Sequence, residues 1–200
     1  MFITFEGCEG SGKSTQIKLL EDYIKSIGKE VIITKEPGGS NLGEEIRKIL
    51  FNYESEILAE IFMFAADRVE HVEKVIKPAL ANGKVVLCDR YIDSTLAYQL
   101  GGRGLPEDLV RYINWISSRG IIPDLTILLD IPAKKGLERA KKRGAVNRFE
   151  NEILAFHERV REKYEELEEN DQKRIKKINA QMPIEEVAEK IKLLVTEIIK

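Results

Sequence analysis

Gly7-Cys8-Glu9-Gly10-Ser11-Gly12-Lys13-Ser14 decides how this chain is read. The stretch fits G-x-x-x-x-G-K-[ST], the phosphate-binding P-loop. In front of it, Phe2-Ile3-Thr4-Phe5 reads as a short apolar strand. Behind it, Ile17, Leu20, Ile24 and Ile27 recur at helical spacing, and Gly28 is a stop signal. Strand, glycine loop and helix is the order the chemistry requires. Glycines let successive backbone N–H groups turn inward onto phosphate oxygens, and the helix N-terminus adds partial positive charge. Lys13 is placed to reach the β- and γ-phosphates of a nucleotide, and the Ser14 hydroxyl to bind Mg²⁺.

Two hundred residues suit one α/β domain, taken as 1–200. The formal charge of −2 provides no basic field, so nucleic acid is not the expected partner. No apolar run approaches the roughly 20 residues of a membrane span. Residues 1–6 lead straight into the P-loop and read as strand, not as a signal peptide. Cys8 and Cys88 fit no disulfide framework or zinc spacing and read as small packed residues. A cytoplasmic chain is expected.

Val31-Ile32-Ile33-Thr34 predicts a second strand, broken by Glu36-Pro37-Gly38-Gly39, with a helix from Gly43 to Phe51. Ile57 to Leu80 reads as one long helix. Val85-Val86-Leu87-Cys88 is a third strand ending in Asp89-Arg90, followed by helix over 93–100 and another opened by Pro106. Leu125 to Leu129 is a fourth strand ending at Asp130. Helices follow from Pro132 to Lys142 and from Asn151 to Glu169. Arg174 to Ile178 is a candidate fifth strand, and Pro183 opens a last amphipathic helix. Strands alternating with helices imply a parallel sheet covered on both faces.

Two apolar strands end in aspartate. Asp89, beside Arg90, is the candidate for Mg²⁺ coordination, and Asp130, before Ile131-Pro132, reads as a helix cap. Phe64 and Arg68 lie one helical turn apart; an aromatic face with a guanidinium fork suits a flat base, and core packing is the plainer reading of the ring. Arg139, Lys141, Lys142, Arg143 and Arg148 crowd around Gly144. They read as a solvated basic face or as a mobile lid at about 140–150 that brings cations to a transferring phosphoryl group. His71 and His157 read as ordinary helix residues.

Taken in order, Phe5-Glu6-Gly7 with the P-loop, Glu36-Pro37-Gly38-Gly39, Phe64-Ala65-Ala66-Asp67-Arg68, Asp89-Arg90-Tyr91 with Ser94 and Ala97-Tyr98-Gln99, and Asn147-Arg148-Phe149-Glu150 resemble the bacterial thymidylate kinase family. The resemblance runs over nearly the whole chain. It departs at Ile178-Asn179-Ala180, where the family has Ile-Asp-Ala. It implies a P-loop NTPase fold of the kinase type, α/β with a five-stranded parallel sheet flanked by helices and a small lid. It also implies a homodimer and transfer of the ATP γ-phosphate to dTMP with Mg²⁺. The ATP contacts expected are Gly7, Cys8, Glu9, Gly10, Ser11, Gly12, Lys13, Ser14 and Thr15, with Arg139. The dTMP contacts follow residue by residue. Phe64 stacks on thymine and Arg68 bonds its O4. Arg47 and Arg90 hold the phosphate. Thr95 and Gln99 lie near the base, Tyr98 beside the deoxyribose, and Glu9 faces the sugar 3′-OH. Lys13, Asp89, Arg90 and Glu9 form the catalytic set, and Ser14 and Asp89 the metal side. One type in the family carries its catalytic arginine in the P-loop just after the acid. Here that position is Gly10, so the lid must supply it: Arg143 first, then Arg148, with Lys141 or Lys142 able to share the role.

A kinase for dUMP or dCMP is the nearest alternative. A GTP-dependent switch is opposed by the lack of an Asn-Lys-x-Asp or Thr-Lys-x-Asp stretch; Thr34-Lys35-Glu36-Pro37 lacks the Asp. A nucleotide sensor without turnover would need none of the acceptor and lid candidates.

Overall fold

The structure, a computed structural model, describes residues 1–144 and 148–199. Its centre is a five-stranded parallel sheet in the order β2-β3-β1-β4-β5, formed by β1 (Phe2–Glu6), β2 (Val31–Lys35), β3 (Val85–Asp89), β4 (Leu125–Asp130) and β5 (Ile175–Asn179). β1 is buried throughout, as a central parallel strand with both faces covered must be.

Alternation along the strands divides the core. Ile3, Phe5, Val85, Leu87, Ile127 and Leu129 face α1 (Lys13–Ser26) and α9 (Ile184–Ile198), whose Ile17, Leu20, Ile24, Val187, Ile191 and Val195 complete one apolar layer. The other face carries Phe2, Val86 and Cys88 against Val72, Ile76 and Tyr91. It also carries Leu128 and Ile175 against α8 (Leu154–Asn170). β1 presents Thr4 and Glu6 to this second face, and both are fully buried. Thr4 bonds Thr126 at 2.8 Å.

β1 lies between β3 and β4, with Phe5 level with Asp89. The connection from β1 goes one way to β2 while β4 joins on the other side. This is the switch point at which open α/β sheets bind ligands.

The remaining helices follow the expected pattern with local differences. α2 is Asn41–Asn52, with the Ser40 side chain accepting from Gly43 N at its N-terminus. The expected single helix over 57–80 is α3 (Ile57–His71), a π-helical turn Val72–Ile76, and α4 (Lys77–Ala81). Pro78 cannot donate the N–H that an unbroken α-helix would send to Lys74, and the widened turn precedes it. Residues 93–100 are likewise divided into a short α5 (Ile92–Thr95) and a π-helical stretch Leu96–Gly102. Pro106 immediately precedes α6 (Glu107–Ser118), and α7 is Ala133–Arg143. α8 starts at Leu154, three residues later than Asn151, because a turn over 148–151 precedes it and Ile153 is extended at the N-cap. No helix among the described residues is long and apolar enough to cross a membrane.

Candidate active site

The P-loop joins β1 to α1. Gly12 caps α1 with φ 95° and no side-chain bond, so the N–H groups of the first turn face the loop. Lys13 folds back over this cradle. Its Nζ donates to Gly7 O at 3.0 Å, to Cys8 O at 3.2 Å and to Ser11 Oγ at 3.4 Å. Burial, then the nearby Arg90 cation, lowers its pKa. Gly10 adopts φ 69°, and a Cβ there would lie 2.0 Å from Gly136 O; a Cβ on Gly136 would lie 2.3 Å from Glu9 O. The loop and the first turn of α7 are therefore in backbone contact through a pair of glycines.

Asp89 ends β3 beside this loop. Ser14 Oγ donates to Asp89 Oδ2 at 3.4 Å, and Asp89 Oδ1 is buried without a partner. A hydroxyl and a carboxylate with an unused buried oxygen are all-oxygen donors. They suit Mg²⁺, which takes one or two protein ligands and completes its shell with phosphate and water. Asp130 is not a cap. Arg161 of α8 binds it with Nε at 2.8 Å and Nη2 at 3.0 Å, because the guanidinium fork matches both carboxylate oxygens.

Arg90 follows with φ 73°, an uncommon conformation for a residue with a Cβ. Its guanidinium lies over the Tyr98 ring at 4.9 Å and donates to Glu9 Oε1 at 3.0 Å and to Ser94 Oγ at 3.2 Å. Tyr98 Oη donates to the same Glu9 oxygen at 2.6 Å, and His157 Nδ1 lies 3.3 Å from Glu9 Oε2. Glu9 thus turns inward and not to solvent. Burial pushes its carboxyl up, but Arg90, His157, Lys13 and Tyr98 outweigh that and hold it well below the usual carboxylate range. His157, read from sequence as an ordinary helix residue, is buried beside the site because α8 packs directly on it.

Beneath Arg90 sits Glu6. It accepts from Tyr91 N at 2.8 Å, Ser94 Oγ at 2.6 Å and Tyr164 Oη at 2.8 Å. Burial, then the Asp93 charge, raises its pKa from 4.5 to about 7. Asp67 is raised from 3.8 to about 7 by burial and then by Glu36. Both groups hold a proton in the folded chain over a range where the unfolded chain has released it. Stability contributed by them must therefore fall as pH rises from about 4.5 to about 7. Glu9 acts oppositely, and only as pH falls below its ordinary 4.5. In Glu6→Gln the decline of Tm between pH 5 and pH 8 is expected to be shallower than in wild type. Parallel Tm profiles, read by circular dichroism, would exclude the Glu6 titration.

On the other side of the cavity Phe64 is half-buried, with its ring 5.9 Å from Phe149. Arg68 is buried. It donates through Nε to Glu36 at 2.8 Å, through Nη1 to Asn114 Oδ1 at 2.5 Å and through Nη2 to Tyr91 O at 3.1 Å. Three of a guanidinium's five N–H donors are thereby used and two remain. His71, also read from sequence as ordinary, is the second partner of Glu36 at 2.9 Å and meets Thr34 Oγ1 at 2.6 Å. Arg47 donates to Pro37 O at 2.8 Å and lies 4.3 Å over the Phe51 ring.

One cavity of about 440 Å³ is lined by Glu9 through Thr15, Arg47, Phe64, Arg68, Asp89, Arg90, Thr95, Tyr98 and Gln99. Gly7 and Cys8 lie behind it. The Cys8 thiol is buried and pushed up to about 12 by that burial, which fits a packed residue. Arg139 reaches away to Ala180 O at 2.9 Å. There Asn179 Oδ1 accepts from Gln181 N at 2.9 Å, a turn for which an Asp would offer the same acceptor. Of the lid cations, Lys141 and Lys142 are exposed. Arg148 is not a free cation: it pairs with Glu60 of α3. Arg143 closes α7, and its side chain and Asn147 lie outside the described residues. Sequence reasoning missed Glu6, Tyr164, Glu36 and Glu60 as functional groups; each is buried, and its role depends on partners between 32 and 158 positions away.

The family profile described as thymidylate kinase matches residues 5–191. A thymidylate kinase of Desulfovibrio desulfuricans is 49% identical over 197 residues, 94% of this chain and 91% of its own length. One from Halothermothrix orenii is 51% identical over 176 residues, 85% of this chain and 84% of its own. The crystal structure of thymidylate kinase from Ehrlichia chaffeensis superposes with a TM-score of 0.82 at 34% identity, covering 98% of both chains. With a P-loop, an acidic strand end and a base-sized cavity already in place on a matching fold, the chain belongs to the thymidylate kinase family, which phosphorylates dTMP to dTDP with ATP.

Proposed function

We propose that the cavity between the P-loop and α3 holds dTMP in line with ATP on the loop, and that the residues named above divide the work. The observation that carries this reading is the single cavity shared by Lys13, Asp89, Arg90, Phe64 and Arg68. Phosphoryl transfer asks little covalent chemistry of a protein; it asks that two anions be aligned and their charge neutralised. Lys13 reaches the β- and γ-phosphates. Arg90 and Arg47 hold the dTMP phosphate, whose oxygen is itself the nucleophile, so no strong general base is needed. Ser14 and Asp89 would hold Mg²⁺, which would supply positive charge to offset that of the phosphates. Phe64 stacks on thymine, while Arg68 uses its remaining donors on O4. A coupled ADP-release assay tests the assignment: ADP should form rapidly with dTMP and only at background without it.

Glu9 carries a sharper test. A carboxylate in an anion-binding loop repels phosphate unless it serves the acceptor. Held by Tyr98 and Arg90, it is aimed to accept a bond from the sugar 3′-OH. An acceptor lacking the 3′-OH should be roughly tenfold or more poorer for wild type, yet lose little further in Glu9→Ala. Measuring kcat/KM for both acceptors on both proteins gives the coupling energy. A value near zero would remove Glu9 from the acceptor site.

The homodimer is supported by apolar side chains left on two packed helices. Phe62 of α3 is 54% exposed and Trp115 of α6 is 66% exposed, with Leu58, Tyr112 and Ile116 exposed beside them. Such a patch suits burial against a second copy. We place the enzyme in the cytoplasm, where ATP and dTMP are available.

A further inference from the structure

We propose that Glu60 is a positioning residue for base choice: it fixes which end of the Gln99 carboxamide faces the cavity. This rests on the assignment of the cavity to a pyrimidine nucleoside monophosphate. Glu60 lies on α3 and is 1% exposed. Arg103 donates to it through Nε at 3.2 Å and Nη2 at 3.3 Å, and Arg148 through Nη2 at 2.5 Å. Bound by two guanidinium groups, it acts as a carboxylate, which has acceptors only. Gln99 meets Glu60 Oε1 at 3.2 Å. An acceptor-only partner takes the amide nitrogen, never the carbonyl, so Gln99 Nε2 is committed to Glu60. The carbonyl Oε1 is then the end left for the cavity that Gln99 lines.

A carbonyl at that wall discriminates. Thymine and uracil carry N–H at ring position 3 and can donate to it. Cytosine carries a lone pair there, which would set acceptor against acceptor in a buried site. Arg68 reads the adjacent ring position with donors, so the two residues together demand an acceptor followed by a donor. Free rotation of the amide would present a donor to cytosine and erase half of that demand. Glu60 prevents it without touching the base. Arg148 belongs to the lid, so the same carboxylate ties that end of the lid to the base pocket.

The test is kcat/KM for dTMP, dUMP and dCMP on wild type and on Glu60→Gln, with KM for ATP and Tm recorded. Glu60→Gln offers both a donor and an acceptor, so the Gln99 amide is released. The preference for dTMP over dCMP is expected to fall roughly tenfold or more. The dTMP-to-dUMP ratio should stay at its wild-type value, because both bases carry the same N–H. KM for ATP should also hold. General damage to the fold would lower all three acceptors together and overturn the proposal, as would an unchanged dTMP-to-dCMP ratio. Failure of wild type to use any of the three would overturn the assignment of the cavity and the proposal with it. Should Glu60→Gln not fold, Gln99→Leu decides: a reduced dTMP-to-dCMP ratio supports the role of the amide, and a wild-type ratio overturns it.

Discussion

Lys13→Ala is expected to stay folded and to lose on the order of 10² to 10³ in kcat, the usual cost of removing one preorganised donor from developing negative charge. The side chain is buried, yet it bonds only atoms of its own loop, Gly7 O, Cys8 O and Ser11 Oγ. It fills no apolar layer, and alanine is a good helix former at the start of α1. On the proposed mechanism this charge acts on the γ-phosphoryl group as it leaves, so the loss should appear in kcat more than in KM for dTMP. Steady-state kinetics with a Tm measurement separate the cases. A folded Lys13→Ala protein of full activity would end the assignment of the loop.

Arg143→Ala is expected to lower kcat by about 10³, with KM for ATP and dTMP changed only a few-fold, the pattern of a cation acting on transition-state charge. Three arginines of the basic stretch compete for this role. Arg139 is bonded to Ala180 O, and Arg148 is paired with buried Glu60. Position 10, the other place a family member could carry the arginine, is a glycine packed on Gly136. Arg143 remains, at the end of α7 where the lid begins. If Arg143→Ala were near wild type while Arg148→Ala were inactive, the catalytic cation would be Arg148 and its pairing with Glu60 a resting arrangement.

Four strands were legible in the sequence because each is built on a short apolar run; β5, Ile175-Lys176-Lys177-Ile178-Asn179, carries only two apolar residues, yet all five lie within a residue or two of their expected ends. The P-loop was legible because it rests on local spacing, and Asp89, Phe64 and Arg68, singled out from sequence as site candidates, line the same cavity as that loop. What could not be read was the support beneath them. Glu6 and Tyr164 are 158 positions apart and meet under Arg90. His157 looks like any helical histidine until α8 is laid against Glu9. Asp130 followed by Ile-Pro resembled a cap, and only the arrival of Arg161 from another helix gives it a different task. Arg148 read as a lid cation, and its pairing was hidden because its partner, Glu60, is 88 positions earlier. The π-helical turns escaped for a related reason. Their apolar positions keep near-helical spacing, and the widening of the turn is set by packing and by Pro78.

The glycine pair between the P-loop and α7 also constrains substitution. An arginine could not be placed at position 10 of this chain by one substitution alone. A side chain at position 10 would begin 2.0 Å from Gly136 O, on backbone at φ 69° that only glycine adopts without strain. The helix would first have to retreat, and a retreat opens the loop before any gain appears. A side chain at position 10 therefore demands a compensating shift of α7, and a side chain at position 136 demands the same of the P-loop.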